Sequence, residues 1–384
     1  MKRLHISFFC LFMLLTYSIQ LKGQENKDTI PRYYLHSLAD TSINPSYIPY
    51  IEFWINYLYT YNDSVRRTYW NPEDIKRWGN NYALFYGAIF QHYPSKLLLN
   101  YLKPYILSVH CKDNFCRIAT AFWNFNYKLS TNTKTNYNPY AISEIGIYKK
   151  NGQMYLTNLF DQRTSGWQKF SSNKINYIVE PTLQLDNEQI KKASGFVDSL
   201  SRLFDTEFDS ITYVVCNSPN ELGYIIGFNF FYSGFANGRA FHDGRMLLSG
   251  LGTFNYPHEL AHFIIDPFFK SGIFFGEGMT TYFGGSKNKS FNQLLPEFKE
   301  KYPEITDSVF TKIIKYPNSK SAYILGALVV EYIYKEKGIS GLKSLSETPV
   351  DTIEFISYIC EKFGINKETL FQKINLRLNL INNQ

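Results

Sequence analysis

Polar and apolar positions in the first half of the chain predict helices followed by strands. Apolar residues recur at helical spacing in residues 51–61 and 72–78. Short runs rich in aromatic and β-branched residues then predict strands at residues 105–110, 117–125, 142–148 and 153–160. Asn151-Gly152, between the last two runs, is typical of a two-residue hairpin turn. Helices followed by an antiparallel sheet indicate a small α+β domain.

The pattern of helices and strands begins again at about residue 170. Strands are predicted at residues 175–179, 211–216 and 245–249, with an amphipathic helix at residues 188–204. Later helices are predicted at residues 321–335 and 352–363, the second ending at Gly364. The chain is therefore predicted to be α+β, with an N-terminal domain at residues 25–168 and a second α+β domain at residues 169–384.

The first residues are typical of an export signal. Lys2 and Arg3 precede an almost wholly apolar run at residues 4–15, and polar residues resume at residues 20–27. The apolar run is shorter than the roughly 20 residues that span a bilayer. We expect residues 1–24 to be cleaved as a signal peptide, leaving a periplasmic or extracellular protein without an integral membrane span. The alternative is an uncleaved N-terminal anchor.

Composition and charge narrow the class of protein. Apolar residues make up 45% and charged residues 19% of the 384 residues, which is typical of a globular chain rather than a disordered one. Loss of residues 1–24 removes Lys2, Arg3 and Lys22, so that the net charge falls from +7 to +4. Without a long basic run, nothing indicates nucleic-acid binding. No pattern indicates an oligomeric state.

Four cysteines follow the predicted signal peptide. Cys111 and Cys116 flank four residues that predict a hairpin turn, and an exported chain permits a disulfide bond between them. Cys216 and Cys360 have apolar neighbours, so we expect them to be buried thiols.

The chemistry is concentrated in a segment that reads Tyr-Pro-His-Glu-Leu-Ala-His-Phe-Ile-Ile-Asp-Pro and contains an H-E-x-x-H motif. Pro257 fits a first helical turn and Pro267 ends a helix, so the motif is expected on a short helix. His258 and His262 then project from one face, where both imidazoles can bind one zinc ion. Glu259 can reach a water molecule beside the metal as a general base. Two surface histidines on an ordinary helix are the alternative.

A catalytic zinc site needs a third protein ligand and an open position. The best candidate is Glu277, which follows fifteen residues after His262 near the start of a second short helix. Gly284 and Gly285 are expected to end that helix, since glycine accepts the left-handed conformation found there.

The H-E-L-A-H sequence and the following apolar-x-Glu-Gly-x-x-x-Tyr pattern resemble the gluzincins, the zinc peptidases with a glutamate ligand that include thermolysin and the large aminopeptidases. The similarity is greatest to their peptidase-MA-like bacterial branch and covers about residues 170–384. It implies a zincin-like catalytic domain in which His258, His262 and Glu277 bind Zn²⁺ and Glu259 is the general base.

Other segments fit the same branch, which has a Gly-aromatic-Ala segment and an edge strand before the zinc helix. Gly234-Phe235-Ala236 and the strand at residues 246–248 correspond to these two features. The spacing from His262 to Glu277 is shorter than in thermolysin or the aminopeptidases. The chain also lacks the Gly-x-Met-Glu-Asn signature of N-terminal exopeptidases.

Four further residues are candidates for supporting roles. Asp266, four residues after His262, either orients that imidazole or simply ends the helix. Thr281 either contacts His258 or Glu277 or is an ordinary helix residue. The resemblance implies Tyr323 as the stabiliser of the oxyanion, with His242 as the second choice and a core aromatic role for Tyr323 as the alternative.

The predicted activity is zinc-dependent hydrolysis of a peptide or protein substrate. Two other functions stay open at this point. One is a zincin-fold binding or scaffold protein without activity, in which the Trp- and Tyr-rich N-terminal domain binds a partner. The other is a zinc hydrolase that acts on a non-peptide amide.

Overall fold

The computed structural model describes residues 32–35, 44–84, 95–123, 139–268, 272–345 and 353–383. The predicted signal peptide, residues 1–24, lies outside the described residues. The described chain is α+β, as predicted from the sequence. None of its described helices is both long and apolar enough to cross a bilayer.

The first half begins with short helices and continues into a sheet. The helices are α1 (Ile48–Leu58), α2 (Asp63–Thr68), α3 (Pro72–Trp78) and α4 (Ser95–Tyr101). The strands are β1 (Tyr34–Leu35), β2 (Lys103–Lys112), β3 (Phe115–Trp123), β4 (Ala141–Lys150) and β5 (Gln153–Thr157). They lie in the order β1-β2-β3-β4-β5, antiparallel except for the pair β1 and β2. Asn151 and Gly152 form the β4–β5 turn with φ values of 51° and 81°, as their sequence predicts.

Aromatic side chains build the core of this half. Trp54, Trp70 and Trp78 are fully buried, and the Trp54 indole donates a 2.9 Å hydrogen bond to Thr120 on β3. Three of the five tryptophans are thus core residues rather than an exposed binding surface. The predicted disulfide bond between Cys111 and Cys116 is confirmed, across the β2–β3 hairpin.

The second half contains a five-stranded sheet. Its strands are β6 (Gln168–Ser172), β7 (Ile175–Val179), β8 (Ile211–Val215), β10 (Gly238–Phe241) and β11 (Met246–Ser249). They lie in the order β10-β11-β8-β7-β6, with β7, β8 and β11 parallel and the two outer strands antiparallel to their neighbours. The strand at residues 246–248, which the resemblance implied to be an edge strand, is therefore internal as part of β11. β10 is the edge strand, because β11 pairs on both sides.

One strand of the second half pairs with the first sheet. β9 (Phe228–Phe231) lies beside β4, and its Phe228 belongs to the aromatic core of the first half. The loop between β10 and β11 also contacts that half, because Asp243 accepts a 2.9 Å hydrogen bond from the backbone N–H of Asn80. The domain boundary at residues 168 and 169 stays a prediction.

The other described α-helices follow the first sheet along the chain, before, between and after the strands of the second sheet. They are α5 (Phe160–Arg163), α6 (Asn187–Phe204), α7 (Pro219–Ile225), α8 (Pro257–Ile265), α9 (Ile273–Gly284), α10 (Phe291–Lys301), α11 (Asp307–Ile314), α12 (Lys320–Lys343), α13 (Ile353–Phe363) and α14 (Lys367–Asn379). One hydrophobic core joins α6 and the β7–β8 face to the helices from α8 onward. The free cysteines Cys216 and Cys360 are both buried, as predicted.

Candidate metal centre

Helix α8 carries the H-E-x-x-H motif. Pro257 occupies its first turn, and Asp266 and Pro267 follow its last residue, Ile265. The apolar residues of the motif, including Leu260 and Ala261, are fully buried in the core. Their burial turns the two histidines of the motif to the opposite side, where their ring centroids lie 5.1 Å apart.

Helix α9 crosses α8 closely enough to bring Glu277 to both histidines. A Cβ atom on Gly284 would lie 2.6 Å from the backbone carbon of Pro257, so only glycine permits this approach. Gly285 follows with φ of 74° and ends α9, as predicted. The two glycines thus bring the C-terminal end of α9 against the first turn of α8.

A second close contact holds α9 against α12. A Cβ atom on Gly278 would lie 2.6 Å from the backbone carbon of Gly326. This glycine contact sets Glu277, the residue before Gly278, opposite Tyr323, which lies one turn before Gly326 on α12. The Tyr323 ring stacks near the His258 imidazole, with centroids 6.2 Å apart.

The three residues predicted as ligands converge. The His258 Nε2 atom lies 3.2 Å from Glu277 Oε2, and His262 Nε2 lies 3.9 Å from Glu277 Oε1. One ligand atom from each residue lies within 4.8 Å of the others. Ligands at 2.0–2.1 Å from a tetrahedral zinc ion are separated by about 3.3 Å. The observed spacing brackets that value, so the group fits a zinc ion, with two neutral imidazoles and one carboxylate as donors.

Hydrogen bonds on the opposite ring nitrogens fix the orientation of both imidazoles. His258 Nδ1 donates to the Gly285 carbonyl oxygen at 2.7 Å. His262 Nδ1 lies 3.0 Å from the Asp266 carboxylate. Of the two alternatives for Asp266, this contact supports the one in which it orients the imidazole. Because the Nδ1 atoms are engaged, each Nε2 atom faces Glu277, the arrangement common for imidazoles that bind metals.

The contacts of His242 and Thr281, the other supporting candidates, are different from those of Asp266. The His242 Nε2 atom lies 2.9 Å from Asp266, so that His242 holds the same carboxylate as His262 and is engaged away from an oxyanion position. Thr281 is fully buried, and its hydroxyl makes no hydrogen bond to any residue that the structure describes. This burial without a hydrogen bond supports the second alternative for Thr281, an ordinary buried helix residue.

The Asp266 carboxylate determines the direction in which the pKa of His262 is shifted. Burial alone lowers the pKa of His262, but the hydrogen bond to Asp266 and the charge of that group outweigh burial and raise it. In turn, burial acts to raise the pKa of Asp266, and the two histidines overcome it and lower that pKa. The pair therefore favours a charged carboxylate that can hold the imidazole in place.

Glu259 lies in the same cleft without a partner. Its side chain is buried, and no hydrogen bond or salt bridge to it occurs among the described residues. The nearest feature is Gly238 on β10, where an added Cβ atom would lie 3.1 Å from Glu259 Cγ and 2.4 Å from the Tyr256 ring. Glu259 thus has a carboxylate free to accept a proton.

Two tyrosines flank this carboxylate. The pKa of Tyr323 lies well above its ordinary value. Burial is the largest cause, and the charges of Glu277 and Glu259 raise the pKa further. The pKa of Tyr256 is also raised, mainly by burial and further by the charges of the same two carboxylates. Both phenols therefore keep their protons near neutral pH and can donate hydrogen bonds. Tyr256 was missed in the sequence, although it directly precedes the motif helix.

These groups line one cleft of about 540 Å³. Its floor is formed by α8 and α9, and β10 with the preceding loop forms one wall. Arg239 on β10 lines the same cleft and was not predicted as a site residue. A charged residue within an edge strand beside the motif helix would have been the signal.

Comparisons with known proteins give a distant likeness only. No protein-family model and no curated protein matches the sequence. Among solved structures, the chain is similar to an M1 zinc metallopeptidase from Deinococcus radiodurans, with 12% sequence identity and a TM-score of 0.33. The alignment covers 73% of this chain and 64% of that chain, so this chain spans less than two thirds of that enzyme's length. A mutant of the enzyme bound to a Tyr-Ser-Ala substrate gives 12% identity and a TM-score of 0.35 over 71% and 63% of the two chains.

Proposed function

We propose that the protein is a zinc-dependent peptidase of the gluzincin type, with His258, His262 and Glu277 as ligands and Glu259 as general base. The observation that carries this proposal is the convergence of the three ligand atoms in one cleft with the Glu259 carboxylate, which makes no hydrogen bond or salt bridge to a described residue. A ligand set of two imidazoles and one carboxylate leaves an open position, as catalytic rather than structural zinc sites do.

The residues of the cleft suit hydrolysis of an amide bond. A bound zinc ion supplies a Lewis acid that lowers the pKa of water and polarises a carbonyl group. Glu259 takes the proton of the attacking water and passes it to the leaving amine. Tyr323 keeps its proton, and its hydroxyl can donate a hydrogen bond to the oxyanion that develops on the carbonyl oxygen. Asp266 and the Gly285 carbonyl keep the imidazoles oriented while the charges change.

The edge strand favours a peptide over another amide. β10 pairs only with β11 among the described strands, and its residues 238–240 line the cleft. Its outer N–H and C=O groups can therefore bind an extended peptide as an added strand, directly beside Glu259. A non-peptide amide would leave these backbone groups unused. A scaffold role would not require a carboxylate that lines the cleft beside the candidate ligands.

Export is part of the proposal. The disulfide bond between Cys111 and Cys116 supports an oxidising compartment, where such bonds persist. Mass spectrometry of the exported protein should give a mature chain that begins near residue 25. A chain that retains residues 1–24 would reject cleavage.

The test separates the base from the ligands. Glu259→Gln should keep zinc and lower peptide turnover by about 10²–10⁴-fold, because an amide cannot accept the proton of water. His262→Ala should lose zinc as well as turnover, because it removes a ligand. The matched control is Glu188→Gln on α6, an exposed carboxylate outside the cleft, which should leave turnover unchanged. Full activity in Glu259→Gln would reject Glu259 as the base, and zinc binding without cleavage of any peptide in a broad library would favour the scaffold.

A further inference from the structure

Arg239 lies on the cleft wall beside the proposed base. It follows Gly238, which abuts the Glu259 side chain, on the edge strand β10. Strand alternation directs its side chain to the face opposite Gly238, which it shares with Phe241, and the guanidinium lies 4.8 Å from the centre of the Phe241 ring. The residue is half-buried and lines the cleft.

This arginine differs from the others that are shielded from solvent. Every other buried or half-buried arginine in the described chain has a carboxylate within 4.0 Å, namely Arg66, Arg77, Arg163, Arg245 and Arg377. The guanidinium of Arg239 makes no salt bridge and no hydrogen bond to any described residue. Burial lowers the pKa of Arg239, and only the charge of Glu259 opposes this. Among the described residues, only the Phe241 ring and the charge of Glu259 offset the desolvation of this cation, so a bound anion would stabilise it further.

The carboxylates of the cleft are already engaged. Glu277 faces both histidines, and Asp266 lies between His262 and His242. Glu259 is the proposed base, so no carboxylate among the described cleft residues is left for a substrate ammonium group. Its other cation is Lys287, which is exposed at the rim.

We propose that Arg239 binds a carboxylate of the substrate close to the scissile bond, so that the protein prefers peptides with an acidic side chain or a free C-terminus there. The proposal rests on the peptidase function proposed above. An extended peptide along β10 advances about 3.3 Å per residue, so the carboxylate lies within about two residues of the bond over Glu259. The planar guanidinium suits this role, because it binds a carboxylate through two parallel hydrogen bonds.

The first experiment measures binding without turnover. Zinc-loaded Glu259→Gln protein is titrated by calorimetry with three peptides of one sequence. The first is amidated and neutral, the second carries one Asp and an amidated end, and the third is neutral with a free C-terminus. At least one acidic peptide should bind about 10- to 100-fold more tightly than the neutral amide, the gain expected for a charge-assisted hydrogen bond. Comparison of the two acidic peptides identifies the source of the carboxylate. Equal binding of all three would overturn the proposal.

The second experiment assigns the preference to Arg239. Arg239→Gln, which removes the guanidinium but keeps a polar side chain, should reduce the acid-to-amide ratio of kcat/KM by about 10- to 100-fold. Arg239→Lys should keep part of that preference through its charge. The matched control is Lys287→Gln in the same cleft, whose exposed charge should change the ratio by less than about 5-fold. Equal effects of the two glutamine variants would mean a diffuse electrostatic preference and would overturn the assignment. Failure of wild type to cleave any peptide would sink the peptidase proposal, while the binding comparison would still decide the role of Arg239.

Discussion

The contact between Gly278 on α9 and Gly326 on α12 can be tested by adding one methyl group. In Gly278→Ala, the Cβ atom would lie 2.6 Å from the Gly326 backbone carbon and 2.8 Å from its Cα atom. Both are backbone atoms, so the helices must separate by about 0.8 Å to reach ordinary van der Waals contact. Overpacking of this kind costs about 1–3 kcal/mol. Separation also moves Glu277 away from Tyr323, and a misplacement of about 1 Å can lower turnover by about 10²-fold.

Gly276 provides the matched control on the same helix. A Cβ atom there meets nothing within 4 Å. Both alanine variants gain the same helix propensity, about 1 kcal/mol. The difference between them therefore isolates the cost of the helix contact. Urea unfolding should place Gly278→Ala about 1–3 kcal/mol below Gly276→Ala, and zinc titration should show weaker binding only in Gly278→Ala. Equal stability and equal zinc affinity would refute the reasoning that this contact positions Glu277.

Three more predictions follow from the contacts of the site and the first sheet. Asp266→Asn should weaken zinc binding by about 10- to 100-fold in a competitive chelator titration, because the imidazole loses its charged partner. Gly238→Ala should lower kcat while the zinc content measured by elemental analysis stays at wild type, because its Cβ atom displaces the Tyr256 ring rather than a ligand. Replacing Cys111 and Cys116 together by Ser should lower the free energy of unfolding by about 2 kcal/mol, from the loop entropy that the disulfide bond removes. Equal free energies of unfolding for the double Ser variant and the oxidised wild type would show that the disulfide bond contributes nothing to stability.

Local sequence rules predicted the parts of the site that lie within one helix. The spacing of His258 and His262 sets both rings on one face, and Asp266 follows by one further turn. Glu277 lies on another helix, yet its approach depends on glycines that are visible in the sequence. The turn and the disulfide bond of the first sheet were likewise local features.

Features that depend on strand order were not predictable in the same way. All four residues of β11 are buried, a pattern typical of an internal strand, yet the resemblance to the peptidase-MA-like branch implied an edge strand here. β10 alternates Gly-Arg-Ala-Phe, and only the register with β11 reveals which side chain meets the cleft. The same holds for the Gly285 carbonyl, because backbone acceptors carry no sequence signal.

The central claim is that one zinc ion is held by His258, His262 and Glu277. Anomalous X-ray scattering at the zinc edge, from crystals of the zinc-loaded protein, tests it directly. We expect one peak within about 2.0–2.2 Å of both Nε2 atoms and of a Glu277 oxygen. A peak bound by other residues, or one with Glu277 beyond coordination distance, would contradict it.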